Sequence, residues 1–275
     1  MVRIADVLSK AESDKKEIGK NKRSPVSDQN SVALSSSQAD SQFTSKKNEN
    51  VSSTIRAWDE RLSKAVNDDP YLPEIFRNLR SRILYPPADR PRPRTVLVTS
   101  VIPGEGKSFV TANLGISLSQ SIDPHCLMVD CDLRRPTLSK IMGVETDKGL
   151  VDYLRNGEEV PSLIVRTSLD KLSLLPSGKI PKNPAELLGS ERMRSLVSEL
   201  AERYEDRTII FDSPPTQVAS EALVLAGQMD GVILVVREAG AGRRQIRRIL
   251  DSIDPERLLG LVFNGHTTNI IERKV

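Results

Sequence analysis

Lys107 and Ser108 are the residues whose surroundings point most directly to chemistry. They lie in the run VLVTSVIPGEGKSFVTANL, in which an apolar strand-like stretch leads into a loop and the loop into a helical pattern. Gly104 and Gly106 can take backbone conformations closed to other residues, so the loop can wrap tightly and aim its N–H groups inward. A helix N-terminus behind such a loop adds a field that favours anions. In a phosphate-binding loop of this kind the lysine reaches the β- and γ-phosphates of a nucleotide, and the serine hydroxyl binds magnesium. Gly104, Glu105, Gly106, Lys107, Ser108 and Phe109 are therefore the candidate contacts for ATP. The pattern G-x-x-x-x-G-K-[ST] is met except at its first glycine, where Val101 stands. A chance GKS in a turn is the competing reading, and the flanking strand and helix argue against it.

Two further segments end apolar runs with acids. LMVDCDLRRP carries Asp130 and Asp132, and TIIFDSPPT carries Asp212. Residues two apart on an extended chain share a face, so Asp130 and Asp132 can point at one spot. A third carboxylate near magnesium is what the second acidic strand supplies in P-loop enzymes. Acids also end strands for no chemical reason, but two such ends after a phosphate loop favour a metal site of Ser108, Asp130 and Asp212. Arg134 and Arg135 fit phosphate contacts and surface charges equally well. Cys126, Cys131 and His125 are too few for a metal cluster, and a buried inert thiol is the better reading of Cys131.

The elements that must position these residues follow from periodicity. Strand-like runs cover 96–99, 127–129, 172–175, 208–211, 232–236 and 259–263, with helical stretches at 108–120, 185–204, 217–228 and 243–253. Strands alternating with helices predict an α/β fold with a mostly parallel sheet and helices on both faces. Ligands in such sheets bind at the carboxyl ends of strands, where these motifs fall. A further helix is expected near 71–85, with Ile75, Leu79 and Ile83 on one stripe and Glu74, Arg77 and Arg80 beside it. Those three charges read equally as a solvated face with i,i+3 ion pairs. Residues 1–20 suggest a short amphipathic helix, which either frays alone or docks on a partner. Residues 21–53 hold almost no large apolar side chains and read as a disordered linker, leaving 54–275 as the nucleotide-binding domain.

The chain has 275 residues, 40 Lys plus Arg and 37 Asp plus Glu, so its net charge of +3 is too balanced to suggest nucleic acid. No apolar run approaches the ~20 residues of a membrane span. Two cysteines imply no disulfide framework, and a reducing cytoplasm is expected.

Together SVIPGEGKS, LMVDCDLRRP and IIFDSPP resemble the Walker A, A′ and B motifs of bacterial tyrosine kinases (BY-kinases) of polysaccharide export, the CpsD/CapB-like group. EIFRNLR resembles that family's E-x2-R-x2-R oligomerisation motif, through Glu74, Arg77 and Arg80. The resemblance covers roughly 70–264 and implies a P-loop NTPase fold of the MinD-like/BY-kinase subgroup. It also implies an ATP- and Mg2+-dependent protein tyrosine kinase regulating exopolysaccharide or capsule polymerisation and export. Lys107, Asp130, Asp132 and Asp212 would form the catalytic set, with Asp130 or Asp132 taking the proton of an incoming tyrosine. Asn264 falls where MinD-type ATPases carry an adenine-contacting asparagine. Implied partners are copies of the chain in a ring, a protein tyrosine substrate and a membrane-spanning chain-length determinant as activator. The expected location is cytoplasmic, peripheral at the inner face of the cell membrane through that partner.

The tail NGHTTNIIERKV departs from the family, because it holds no tyrosine for autophosphorylation; the four tyrosines are Tyr71, Tyr85, Tyr153 and Tyr204. Alternatives are a MinD-like ATPase switch and a non-catalytic ATP-gated assembly factor. Against the switch, Ile102 occupies the position of the extra lysine those ATPases carry.

Overall fold

The computed structural model describes residues 54–122, 125–204 and 206–265. The N-terminal helix and the linker expected before residue 54 lie outside the described residues, as does the tail after 265. In chain order the strands are β1 (Thr54–Ile55), β2 (Thr95–Ser100), β3 (His125–Asp130), β4 (Val144–Glu145), β5 (Val165–Arg166), β6 (Leu172–Leu175), β7 (Arg207–Asp212), β8 (Gly231–Arg237) and β9 (Leu258–Asn264). The helices are α1 (Glu60–Asn67), α2 (Leu72–Leu84), α3 (Lys107–Ser119), α4 (Leu138–Ile141), α5 (Leu150–Asn156) and α6 (Val160–Leu163). After them come α7 (Pro184–Leu188), α8 (Glu191–Arg203), α9 (Glu221–Ala226) and α10 (Arg243–Leu250).

Seven strands form one sheet in the order β5-β6-β3-β7-β2-β8-β9. Every neighbouring pair is parallel except β5, which runs antiparallel to β6. The short β1 and β4 pair separately. Successive strand residues alternate between two cores, which is why the strands read as unbroken apolar runs. Val96, Val98, Met128 and Ile210 face α1, α2 and α3. Leu97, Leu127, Ile209 and Phe211 face α5, α7, α8 and α9. Full burial of one such side chain stabilises by ~1.5–3 kcal/mol. Helix α3 lies against β3 because Gly115 has no side chain: a Cβ there would sit 2.5 Å from Met128 Sδ.

The expected strands all form, extended by one or two residues at most of their ends. Three helical expectations change. The stretch 185–204 breaks at Gly189, and Ser190 Oγ caps α8 by accepting from Met193 N. Residues 217–220 stay outside α9, because Thr216 N and Gln217 N donate to Ser100 O and Val101 O at the end of β2, and α9 ends at Ala226 rather than 228. Helix α10 stops at Leu250, three residues short of the expected 253. On α2 the buried stripe is Leu72, Phe76, Leu79 and Ile83, while Ile75 is 55% exposed. Both stripes fit helical spacing, and the one carrying Phe76 wins because an aromatic ring buries more area.

Candidate functional site

The phosphate loop runs from the end of β2 to the first turn of α3. Its two glycines adopt the left-handed conformation, with φ of 84° at Gly104 and 92° at Gly106. At Gly106 space is a second constraint, since a Cβ would lie 1.9 Å from Asn264 Nδ2. Asn264, the last residue of β9, donates from that nitrogen to Glu105 O at 2.9 Å and so clips the loop from outside. Phe109 is half-buried and packs into the α2–α3 core.

The three carboxylates meet at the carboxyl ends of β3 and β7. Asp130 and Asp212 are cross-strand partners in the sheet, and both are fully buried. Lys107, the first residue of α3, reaches Asp132 with Nζ–Oδ2 at 2.6 Å. Burial alone would depress the Lys107 pKa, but Asp212, Asp132 and Asp130 together raise it, so the ammonium stays charged.

Each acid is held differently. Asp130 accepts from Asp132 N and Leu138 N, both at 3.2 Å, which curls residues 131–138 around it. Burial, then the charges of Asp212 and Asp132, push its pKa well above the carboxylate range. Asp132 uses Oδ1 to accept from Arg135 N at 3.1 Å, leaving Oδ2 for Lys107. Asp212 is the exception, because neither of its oxygens has a hydrogen-bond partner of normal geometry among the described residues. Burial lifts its pKa to about 6, against the opposing pull of Lys107 and the nearby Ser108 hydroxyl.

Two hydroxyls escaped the sequence reading. Thr137 donates to Ser108 Oγ at 2.8 Å. It arrives there only because Asp130 folds the intervening loop back, which no spacing in the sequence announces. Thr111 lies one turn along α3 from Ser108 and lowers the Asp212 pKa slightly. Its i,i+3 spacing from Ser108 was the available signal.

A magnesium ion is held by one or two carboxylates together with phosphate oxygens and water. Among the described residues no three His, Cys, Asp or Glu groups form a metal cage by themselves. The orphaned Asp212 carboxylate beside Ser108 fits the sparser arrangement. Asp130 lies next to it with its oxygens already engaged by backbone.

The remaining candidates lie apart from this cluster. Glu74 and Arg77 form an i,i+3 ion pair on the outer side of α2. Arg80 turns away from them and donates to Ser117 O of α3 at 2.6 Å. Arg134 pairs with the buried Glu221 at 2.9 Å, and Arg135 is exposed. Cys131 is buried, and burial raises its thiol pKa well above the usual value, as an inert thiol requires.

No protein-family profile matches the chain. Whole proteins do. The tyrosine-protein kinase YwqD of Bacillus subtilis is 33% identical over 194 residues, which are 70% of this chain and 80% of YwqD. The tyrosine-protein kinase Wzc of Salmonella typhimurium is 29% identical over 201 residues, 73% of this chain but 27% of Wzc. Among solved structures the chimeric protein CapA2B2 superposes with a TM-score of 0.67 at 28% identity, covering 77% of this chain and 92% of its own. A cobyrinic acid a,c-diamide synthase from Mycobacterium smegmatis, solved with an ATP analogue and magnesium, shares the fold alone at 23% identity. It has a TM-score of 0.50 and covers 62% of this chain and 74% of that structure. With a third of the aligned residues identical across four-fifths of a whole tyrosine kinase, this chain belongs to the bacterial tyrosine kinase family.

Proposed function

We propose that this chain is an ATP- and magnesium-dependent protein tyrosine kinase acting in exopolysaccharide or capsule synthesis and export. The observation that carries the reading is Lys107, held charged among Asp130, Asp132 and Asp212 at the mouth of a glycine-bent phosphate loop. Such a site can gather phosphates and neutralise them, which is most of what phosphoryl transfer asks of a protein.

In this reading the backbone N–H groups of 104–108 and the Lys107 ammonium bind the nucleotide's phosphates. Lys107 exchanges its Asp132 partner for a phosphate, so the carboxylate oxygen it leaves becomes free. Asp132 then accepts the phenol proton of the incoming tyrosine as the phenolic oxygen attacks the γ-phosphorus and the bond to the bridging oxygen of the departing ADP breaks. Asp132 suits this better than Asp130, whose oxygens both accept backbone N–H bonds. Ser108 and Asp212 would hold magnesium, with Asp130 beside them, and the ion would neutralise charge on the phosphates.

Glu74 and Arg77 remain the proposed contact between subunits in a ring. Arg80 serves that surface by fixing α2 to α3. Tyr71 and Tyr85, 59% and 77% exposed, flank that helix and are the proposed acceptors within the chain. Tyr153 and Tyr204 are partly buried, and each is covered by an arginine at 5.5 and 4.3 Å. Among the described residues no helix is long and apolar enough to cross a membrane. Placement at the inner membrane face is assigned to a membrane-spanning activator.

Incubation of the purified chain with labelled ATP and magnesium, alone and with candidate substrates, tests the reading. Label on tyrosine supports it. Free phosphate without labelled protein selects the MinD-like switch, and bound but unreacted ATP selects the assembly factor.

A further inference from the structure

Glu105 stands inside the phosphate loop, yet it is 1% exposed and its carboxylate faces backbone N–H groups. Its two carboxylate oxygens serve different segments. Oε2 accepts from Val101 N at 2.8 Å and Ile102 N at 2.9 Å, both within the phosphate loop. Oε1 accepts from Ala241 N at 3.2 Å and, more loosely, from Arg237 N at 3.4 Å, across the turn between β8 and α10. Its own carbonyl accepts from Asn264 Nδ2, while Asn264 O accepts from Glu238 N at 3.1 Å. Glu105 thus joins the phosphate loop to two segments more than a hundred residues away in sequence, the β8–α10 turn through its carboxylate and Asn264 through its carbonyl.

Gly240 makes room for this arrangement. A Cβ at that position would lie 2.8 Å from Glu105 Oε1 and 2.9 Å from Arg237 O. An ordinary side chain on the β8–α10 turn would therefore push directly on the carboxylate. A buried carboxylate is costly unless hydrogen bonds satisfy it, and here backbone N–H groups satisfy both oxygens. Val101 occupies the position where the general phosphate-loop pattern has its first glycine. The Val101 and Ile102 amides are held from behind by Glu105 instead.

We infer that Glu105 is a positioning residue for phosphoryl transfer. It holds the phosphate loop open in its nucleotide-ready shape and couples that shape to the Arg237–Ala241 turn. The inference rests on the nucleotide reading of the loop given above. Phosphate binding depends on several N–H groups converging at once, so a loop free to relax loses affinity without losing any ligand-contacting atom. Through the same bonds, anything that displaces the β8–α10 turn alters the phosphate site.

The test uses the full chain and three variants, Glu105→Ala, Glu105→Gln and Gly240→Ala, each first shown folded by circular dichroism. Calorimetry with Mg·ATP and steady-state transfer to a tyrosine peptide are then compared with the wild type. Glu105→Ala is expected to weaken nucleotide affinity at least tenfold. Glu105→Gln keeps the shape but turns an NH2 group toward one pair of N–H donors, so it is expected to lose severalfold rather than rescue. Gly240→Ala touches no phosphate and is expected to raise the KM for ATP three- to tenfold with a smaller change in kcat. A Glu105 that merely stabilised the fold would lower the melting temperature and leave Kd and KM of the folded protein unchanged. Wild-type-like Kd in folded Glu105→Ala, or wild-type-like KM in folded Gly240→Ala, overturns the inference. A wild-type chain that binds no ATP overturns the nucleotide reading itself, separately from the role of Glu105.

Discussion

Replacing Asp212 by Asn should stabilise the nucleotide-free protein while removing its magnesium-dependent activity. The carboxylate is fully buried, its oxygens are unpartnered among the described residues, and its pKa is raised from 3.8 to about 6. A displacement of about two units corresponds to about 3 kcal/mol between the charged and neutral forms. Above pH 6 the folded wild type carries that cost, and a neutral amide of the same shape removes it. Some of the gain is forfeited where the new NH2 group lacks an acceptor, so a net stabilisation of about 1–2 kcal/mol is expected. For a domain of this size that is a rise in melting temperature of roughly 3–8 °C. A folded-state pKa above the unfolded one favours folding fully below 3.8, and that contribution is lost as pH rises through about 6. The advantage of the Asp212→Asn variant should therefore be largest at pH 8 and nearly vanish at pH 4. Mg·ATP should reverse the order, because the wild type gains ~2.7 kcal/mol from ligand at a hundredfold excess over Kd and the variant does not. Thermal melts of both proteins at pH 4, 6 and 8, with and without Mg·ATP, decide the matter. A variant that melts lower than wild type at pH 8, or whose advantage is independent of pH, refutes the buried-charge argument.

Lys107→Met should weaken nucleotide binding by about 1.5–3 kcal/mol, roughly ten- to a hundredfold, because a charge-assisted contact is lost; unchanged calorimetric affinity would contradict its assigned role. Arg80→Ala should cost about 1–2 kcal/mol of stability, since Arg80 ties α2 to Ser117 O, whereas Arg77→Ala should leave the melting temperature unchanged. The double variant should lose self-association by light scattering, and an unchanged mass would mean that the outer face of α2 is merely solvated. Phosphopeptide mass spectrometry after incubation with Mg·ATP should find phosphate on Tyr71, Tyr85 or a separate substrate. It should find none on Thr267 or Thr268, whose hydroxyls are too short for a site that must admit a phenol; stoichiometric threonine phosphate would exclude the tyrosine-kinase reading.

The fold was legible in the sequence wherever a local signal and the tertiary demand coincide. Strands buried on both faces must be continuously apolar, so the six main strands were readable from composition and placed to within about two residues. The short β1, β4 and β5 were not, because two residues carry no period. The phosphate loop was legible because glycine at 104 and 106 answers a local backbone need. Asp130, Asp132 and Asp212 were legible as candidates because each ends an apolar run. What each carboxylate does was decided only in three dimensions. Asp130 and Asp212 become neighbours through strand pairing across some eighty residues of sequence, and that burial leaves one engaged by backbone and the other orphaned. Which face of α2 turns inward depended on α3, as two apolar stripes fit the same helical period. Arg80 was read with Glu74 and Arg77 by spacing alone, yet a carbonyl on the neighbouring helix captured it. Glu105 looked like one more residue of a nucleotide loop. Half of its carboxylate's partners, Arg237 N and Ala241 N, come from the far end of the chain, and long-range pairing of backbone groups leaves no trace in local sequence.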